Sequence, residues 1–243
     1  MMKTIIPQWP APKGVVACSS TRDGGVSLPP YDSLNLGAHC GDNRDSVETN
    51  RQRFYQAMNM PSPPVWLEQV HGKAVLNLDE APFASKQADA AYTHSAGQVC
   101  AVMTADCLPV LFCNRAGNQV AAAHAGWRGL CAGVLEETVA RFQDSPANIL
   151  AWLGPAIGPQ AFEVGPEVRE AFIDKDKKAA QAFRAFGKKY YADIYQLARQ
   201  RLENLGVTQV YGGDRCTLTE SNDFFSYRRE KVTGRMASFI WIV

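Results

Sequence analysis

Histidine is scarce in this 243-residue chain, where only His39, His71, His94 and His124 occur. An oxygen-reducing multicopper centre needs on the order of ten histidines, because imidazole is copper's main ligand. That chemistry is therefore out of reach. No C-x-x-C pair appears among the seven cysteines, which excludes zinc ribbons and thioredoxin-like motifs. The odd count, with no secretory signal in MMKTIIPQWP, argues against a disulfide framework and for a cytoplasmic protein. Charge of one sign is lacking too: 25 Lys and Arg face 24 Asp and Glu, so a nucleic-acid partner is not expected. The most apolar stretch, Val99 to Cys113, is broken by Asp106 and Pro109 and is too short for a bilayer. G-x-x-x-x-G-K-[ST], a strand-linked G-x-G-x-x-G and G-x-S-x-G are all absent, which leaves P-loop, dinucleotide and serine-hydrolase readings without support.

What remains is an ordinary globular composition, 46% hydrophobic and 20% charged, with no repeat and no compositional break. A single domain over 1–243 is the expectation. Short apolar runs predict strands near 14–19, 65–70, 74–78, 88–92, 98–104, 110–113, 119–124, 149–153, 207–211 and 237–243. Several are apolar throughout, as in strands covered on both faces. Helices are expected over 44–58, 130–142, 167–173 and 193–205, the last stopped by Gly206. The mixture reads as α/β or α+β, with a large mixed sheet between helices.

Three segments set a metal-binding side chain just past an apolar strand: Gln69-Val70-His71-Gly72, Ala105-Asp106-Cys107, and Ala123-His124-Ala125-Gly126. Strand ends hold side chains rigidly, and two imidazoles with a thiolate are a known ligand set for catalytic zinc. A lone histidine at a strand end is more often a surface or core-edge residue than a ligand, and the spacing of the three residues is not a local zinc motif. Asp106 is a candidate partner for a ligand imidazole or a general base. Cys107 also suits a nucleophile with histidine as its base. Arg128, in the turn AGWRG before a helix, can hold an anion or be a solvated arginine of a tight turn. Arg22 and Arg228 offer further charge or are surface residues, and Arg229 reads as a surface residue.

Taken together, SSTRDGGVS (19–27), SLNLGAHCGD (33–42), WLEQVHG (66–72), ADAAYT (88–93), TADCLPVLF (104–112), AAHAGWRG (122–129), GPAIGP (154–159), YADIYQLAR (191–199) and FFSYRRE (224–230) resemble the YfiH family, also called laccase-domain or peptidoglycan-editing-factor proteins. QVHG, TADC-P and HAGWRG in that order are the specific part. The resemblance implies one α/β domain with a central mixed sheet layered by helices. It puts the metal ligands on His71, Cys107 and His124, with zinc and sometimes copper. It implies phosphorolysis of adenosine, inosine and methylthioadenosine, with adenosine deamination. Purine nucleoside and phosphate are then the partners, with no nucleic acid or membrane, and the chain a monomer. Arg22, Arg128 and Arg228 are the cations available for phosphate, with Cys107 and Asp106 as catalytic residues. The cytidine-deaminase signature H-x-E with P-C-x-x-C does not occur. Other classes stay open: a cysteine or metal hydrolase of a peptidoglycan precursor, adventitious copper-dependent polyphenol oxidation, or a non-enzymatic binding protein.

Overall fold

The computed structural model describes residues 2–243. In chain order, the first strands are β1 (Thr4–Ile5) and β2 (Val15–Ser20), followed by helix α1 (Arg44–Ala57). Then come β3 (Val75–Asn77), β4 (Ala90–Thr93), β5 (Val99–Thr104), β6 (Leu108–Asn114) and β7 (Val120–Ala125). Helices α2 (Trp127–Ala132) and α3 (Val134–Val139) lead to β8 (Ile149–Leu153), β9 (Glu163–Val164) and α4 (Pro166–Ile173). The chain closes with β10 (Phe183–Phe186), β11 (Lys189–Ala192), α5 (Ile194–Asn204), β12 (Gln209–Gly212), α6 (Tyr227–Glu230) and β13 (Met236–Ile242).

The mixed sheet has six strands in the order β12-β8-β6-β7-β4-β3, with parallel pairs at both edges and antiparallel pairs between. A second sheet, β1-β2-β13-β5, is antiparallel throughout. β5, β6 and β7 (VCAVMT, LPVLFCN, VAAAHA) are buried at every residue. Their alternation sorts the core. Val110, Phe112, Ala121 and Ala123 face Leu130, Val134, Leu197 and Leu202 of the helices. Leu111, Cys113, Val120 and Ala122 face Cys100, Val102 and Ile240 of the second sheet. The outer face of that sheet, with Val99, Ala101, Phe239 and Trp241, packs Phe54 of α1. The layers are therefore helices, six-stranded sheet, four-stranded sheet, helix. Continuous apolar runs are the sequence pattern this demands, since neither face of either sheet meets water.

The mixed α/β reading holds, and the expected central sheet is covered by helices on one face only. A second sheet covers the other. Two local expectations are corrected. Residues 65–70 are not a strand: only isolated bridges join Val65 to Cys100 and Glu68 to Gln87. The Gln69 amide does the pairing instead, donating to Met103 O (2.8 Å) and accepting from Met103 N (2.7 Å), so one side chain stands in for a neighbouring strand at the edge of β5. The helix expected over 130–142 starts earlier, at Trp127, and breaks at Gly133, whose φ of 106° no L-residue adopts at low cost. The small sheet β10-β11-β9 was not anticipated. Among the described residues, no helix is long and apolar enough to cross a membrane.

Candidate metal centre

The register of β6 on β7 pairs Leu108 with Ala125 and Pro109 with His124. Cys107, one residue before β6, is thereby brought beside His124 at one end of the sheet. Residues 105–107 are the whole connection from β5 in one sheet to β6 in the other. The crossing is sharp, and Asp106 takes φ 90°. Its carboxylate accepts from Thr217 Oγ1 (2.6 Å) and Arg228 N (2.6 Å), and its carbonyl from Ile157 N (2.9 Å). His71 also sits in the left-handed region, at φ 60°. Such backbones cost on the order of 1–3 kcal/mol and persist where the surroundings over-determine them.

For His71 the surroundings are Asp89, a fully buried carboxylate at the start of β4. Its Oδ1 accepts from His71 N (2.9 Å) and its Oδ2 from Gly72 N (2.7 Å) and Val70 N (3.2 Å). The same Oδ1 lies 2.8 Å from His124 Nδ1. These hydrogen bonds outweigh burial and keep the Asp89 carboxyl below its ordinary range. An ionised Asp89 can only accept, so His124 Nδ1 carries the proton and Nε2 is left for the site. One carboxylate thus fastens both imidazole-bearing segments.

One donor atom each from His71, Cys107 and His124 lie within 4.8 Å of one another. His71 Nε2 is 3.7 Å from Cys107 Sγ. Tetrahedral zinc, with bonds of about 2.0–2.3 Å, holds such atoms about 3.5 Å apart, so the donors present fit a divalent metal of that kind. The electrostatics agree. Burial works against the Cys107 thiolate, but the His124 charge and hydrogen bonds from both imidazoles outweigh it and hold the thiol at about 6. The thiolate and Asp89, again against burial, lift His124 to about 9.

The glycines of AGWRG serve this packing. A Cβ at Gly126 would lie 2.7 Å from His71 Cδ2 and 3.0 Å from Cys107 Sγ, and one at Gly129 2.7 Å from Gly72 O. The helix start beside Arg128, where an anion site is expected, is a packed one. α2 has six residues, and its first turn is pressed against the His71–Gly72 turn.

Two cavities share His71, Ala105, Cys107, Arg128 and Tyr227 as a common wall. One, of about 220 Å³, adds Trp127, Ile157, Phe162 and Ile194 with Asp106 and Arg228. The other, of about 480 Å³, adds His39, Gln69, Thr104, His124 and Arg235 and has no carboxylate in its lining. Of the arginines singled out in the sequence, Arg128 lies on the shared wall, stacked on Trp127 at 4.5 Å, with no hydrogen-bond or ion-pair partner among the described residues. Arg228 lines the first cavity with Nη1 donating to Glu163 O (2.9 Å). Arg22 does not join them. It lines a separate cleft, and its guanidinium donates to Asp32 O (3.0 Å), Ser221 O (3.2 Å) and Glu230 Oε1 (3.2 Å) over the Phe225 ring. Arg229 is no surface residue: half-buried, it donates to the carbonyls of Thr217, Leu218 and Phe224. Asp106 meets neither imidazole through a hydrogen bond, and Asp89 holds the role of imidazole partner. Asp89 was missed, and its one signal is a charge set inside the apolar run ADAAYT.

Residues 16–243 match the family described as multi-copper polyphenol oxidoreductase laccase. A relative from Escherichia coli (strain K12) named purine nucleoside phosphorylase YfiH is 74% identical over 243 residues, 100% of both chains. A Haemophilus influenzae relative named purine nucleoside phosphorylase is 54% identical over 99% of each chain. A Neisseria meningitidis crystal structure superposes with a TM-score of 0.95 at 50% identity, covering 98% of each chain.

Proposed function

The chain belongs to the YfiH family, the group described as multi-copper polyphenol oxidoreductase laccase, and from that premise we propose that it is a zinc-dependent purine nucleoside phosphorylase. Its substrates in this reading are adenosine, inosine and methylthioadenosine, and it also deaminates adenosine. The observation that carries the reading is the ligand set His71, Cys107 and His124, with His71 and Cys107 on the shared wall of an aromatic cavity and a cationic one and His124 lining the cationic one. The relatives' printed names support it.

When bound, the ion supplies a Lewis acid held by His71, Cys107 and His124. The chain's own residues do the rest. Trp127, Phe162 and Ile157 offer the purine an apolar surface in the first cavity. Arg128 has free donors for an anion. In phosphorolysis a phosphate oxygen bonds to C1′ as the C1′–N9 bond breaks. The base leaves with the electron pair and takes up the proton that phosphate gives up by way of Asp106, giving free base and ribose 1-phosphate, or the methylthioribose 1-phosphate from methylthioadenosine. Asp106, fixed by Thr217 and the Arg228 N–H, presents a rigid carboxylate to that cavity as the proposed proton acceptor. Arg22 is not placed in the reaction, because its donors are committed elsewhere.

A second reading, a hydrolase with Cys107 as nucleophile, is favoured by the lowered thiol and the neighbouring imidazoles. One assay separates them. Adenosine and inosine are incubated with and without phosphate, and free base and inosine are followed by chromatography before and after chelation. Free base that forms only with phosphate and metal is the expected result. Turnover that survives rigorous metal removal would sink the phosphorylase reading and favour the thiol.

A further inference from the structure

The larger of the two cavities has a chemistry of its own. Its lining brings Arg235, Arg128 and His39 together without a carboxylate. The Arg235 stem is locked. A Cβ at Gly37 would come within 2.7 Å of its Cγ, and its backbone N donates to Asn35 Oδ1 at 2.9 Å. Nη1 donates to Thr233 O (2.9 Å) and Gly234 O (3.0 Å). Nε and Nη2 have no partner among the described residues. Arg128 is likewise unpartnered, so two guanidinium groups face one cavity with donors to spare. Partial burial and then the charges of Arg235 and Arg51 hold the His39 imidazole below its ordinary range, as expected where positive charge is crowded and unanswered.

We propose that this cavity is a subsite for a tetrahedral oxyanion, held by Arg235 and His39 of its lining and by Arg128 on the wall it shares with the aromatic cavity. The three groups come from separate parts of the chain: the loop before α1, helix α2 and the segment entering β13. Donors that converge from three directions suit a tetrahedral anion. A planar carboxylate is satisfied by the fork of a single arginine. The shared wall of His71, Cys107 and Arg128 sets such an anion beside whatever fills the aromatic cavity, which is the arrangement a two-substrate displacement needs. The inference rests on the phosphorylase reading in one respect, that the anion is inorganic phosphate. It replaces Arg22 with Arg235 and His39 as the phosphate contacts.

The test uses the metal-loaded protein as purified, with Arg235→Met, Arg235→Lys and His39→Gln, each checked by its melting temperature. Phosphate is varied at saturating adenosine, and inorganic phosphate is titrated calorimetrically without nucleoside. Arg235→Met and His39→Gln should each raise the phosphate KM at least ten-fold, weaken the phosphate Kd in parallel and leave the nucleoside KM within two-fold. Arg235→Lys keeps the charge and the stem but loses the fork, and should show a smaller rise of the same kind. It carries the test if the Met variant does not fold. Sulfate should compete with phosphate and acetate should not. Unchanged phosphate KM and Kd in folded variants, equal rises in both KM values, or acetate competing as well as sulfate would each overturn the subsite. If the parent binds phosphate, the variants bind it more weakly and no phosphorolysis occurs, the subsite stands and the phosphorylase reading falls. If phosphorolysis runs with the phosphate KM unmoved in every variant, the reading stands and the subsite falls.

Discussion

Two polar clusters in this molecule are made of similar residues and differ in what is left over. The first ties the C-terminal loops to the Arg22 loop. There Arg22 meets Glu230, Arg215 meets Glu220 and Asp223, and Arg229 meets Glu230 and three carbonyls. Each of these cations is answered by acids and carbonyls of the chain itself. The second is the corner of His71, Cys107 and His124, with Arg128 and Arg235 beyond. There the donor atoms lie within 4.8 Å of one another, and the arginines have N–H groups with no partner among the described residues. Saturation separates them. A cluster whose hydrogen-bonding capacity is spent holds the fold together, and a cluster with capacity to spare is waiting for something.

The sharpest attack on that contrast removes a ligand. Cys107→Ser keeps a hydroxyl but loses the soft thiolate, so metal analysis should find little bound ion and phosphorolysis should fall by about 100-fold or more. A Cys107→Ser protein with full metal content and activity would mean the corner is not a metal site. Next in size is Asp89→Asn, which disturbs both imidazole segments without touching the ion. Metal affinity, read by competition with a chelator, should drop about 10- to 100-fold. Asp89 is held below its ordinary range, so the stability it contributes is present above the unfolded carboxylate pKa of about 3.8 and is lost as pH falls through the folded value. Acid unfolding of the Asn variant should therefore lose part of that limb.

Arg22→Met tests the saturated cluster. Losing bonds from a charged donor should cost about 1–3 kcal/mol in urea unfolding, with the phosphate KM unmoved. A ten-fold KM rise at unchanged stability would transfer Arg22 to the site and erase the contrast. The mildest effect is a flat line. In metal-free protein Cys107, at about 6, is mostly thiolate above pH ~7, so its alkylation rate should level off there. Burial pushes Cys113 up to about 12 and Cys18 and Cys100 higher still, so these should stay unreactive. Bound metal should protect Cys107. A Cys107 rate that climbs ten-fold per pH unit to pH 9 would contradict the pairing with His124.

The ligand candidates were readable because metal chemistry narrows residue types, and strand ends are marked by where apolar runs stop. The mixed sheet was readable for the same reason, since runs such as VCAVMT announce burial on both faces. The second sheet was not, because a run buried between sheet and helix looks the same as one buried between two sheets. Asp89, His39 and Arg235 escaped because their roles exist only after the chain folds. They come from segments far apart in sequence, and nothing local marks a carboxylate that will hold two imidazoles. The arginines were ranked alike because a sequence shows a charge without showing what already occupies it.

His71 carries one more consequence. Its left-handed backbone, φ 60°, is a conformation glycine adopts freely. His71→Gly would remove a ligand and relax the turn in one stroke, so the crippled protein should match or exceed the thermal stability of the metal-free parent. Anyone improving this scaffold by heat alone would be steered toward discarding its chemistry, and would read the loss as success.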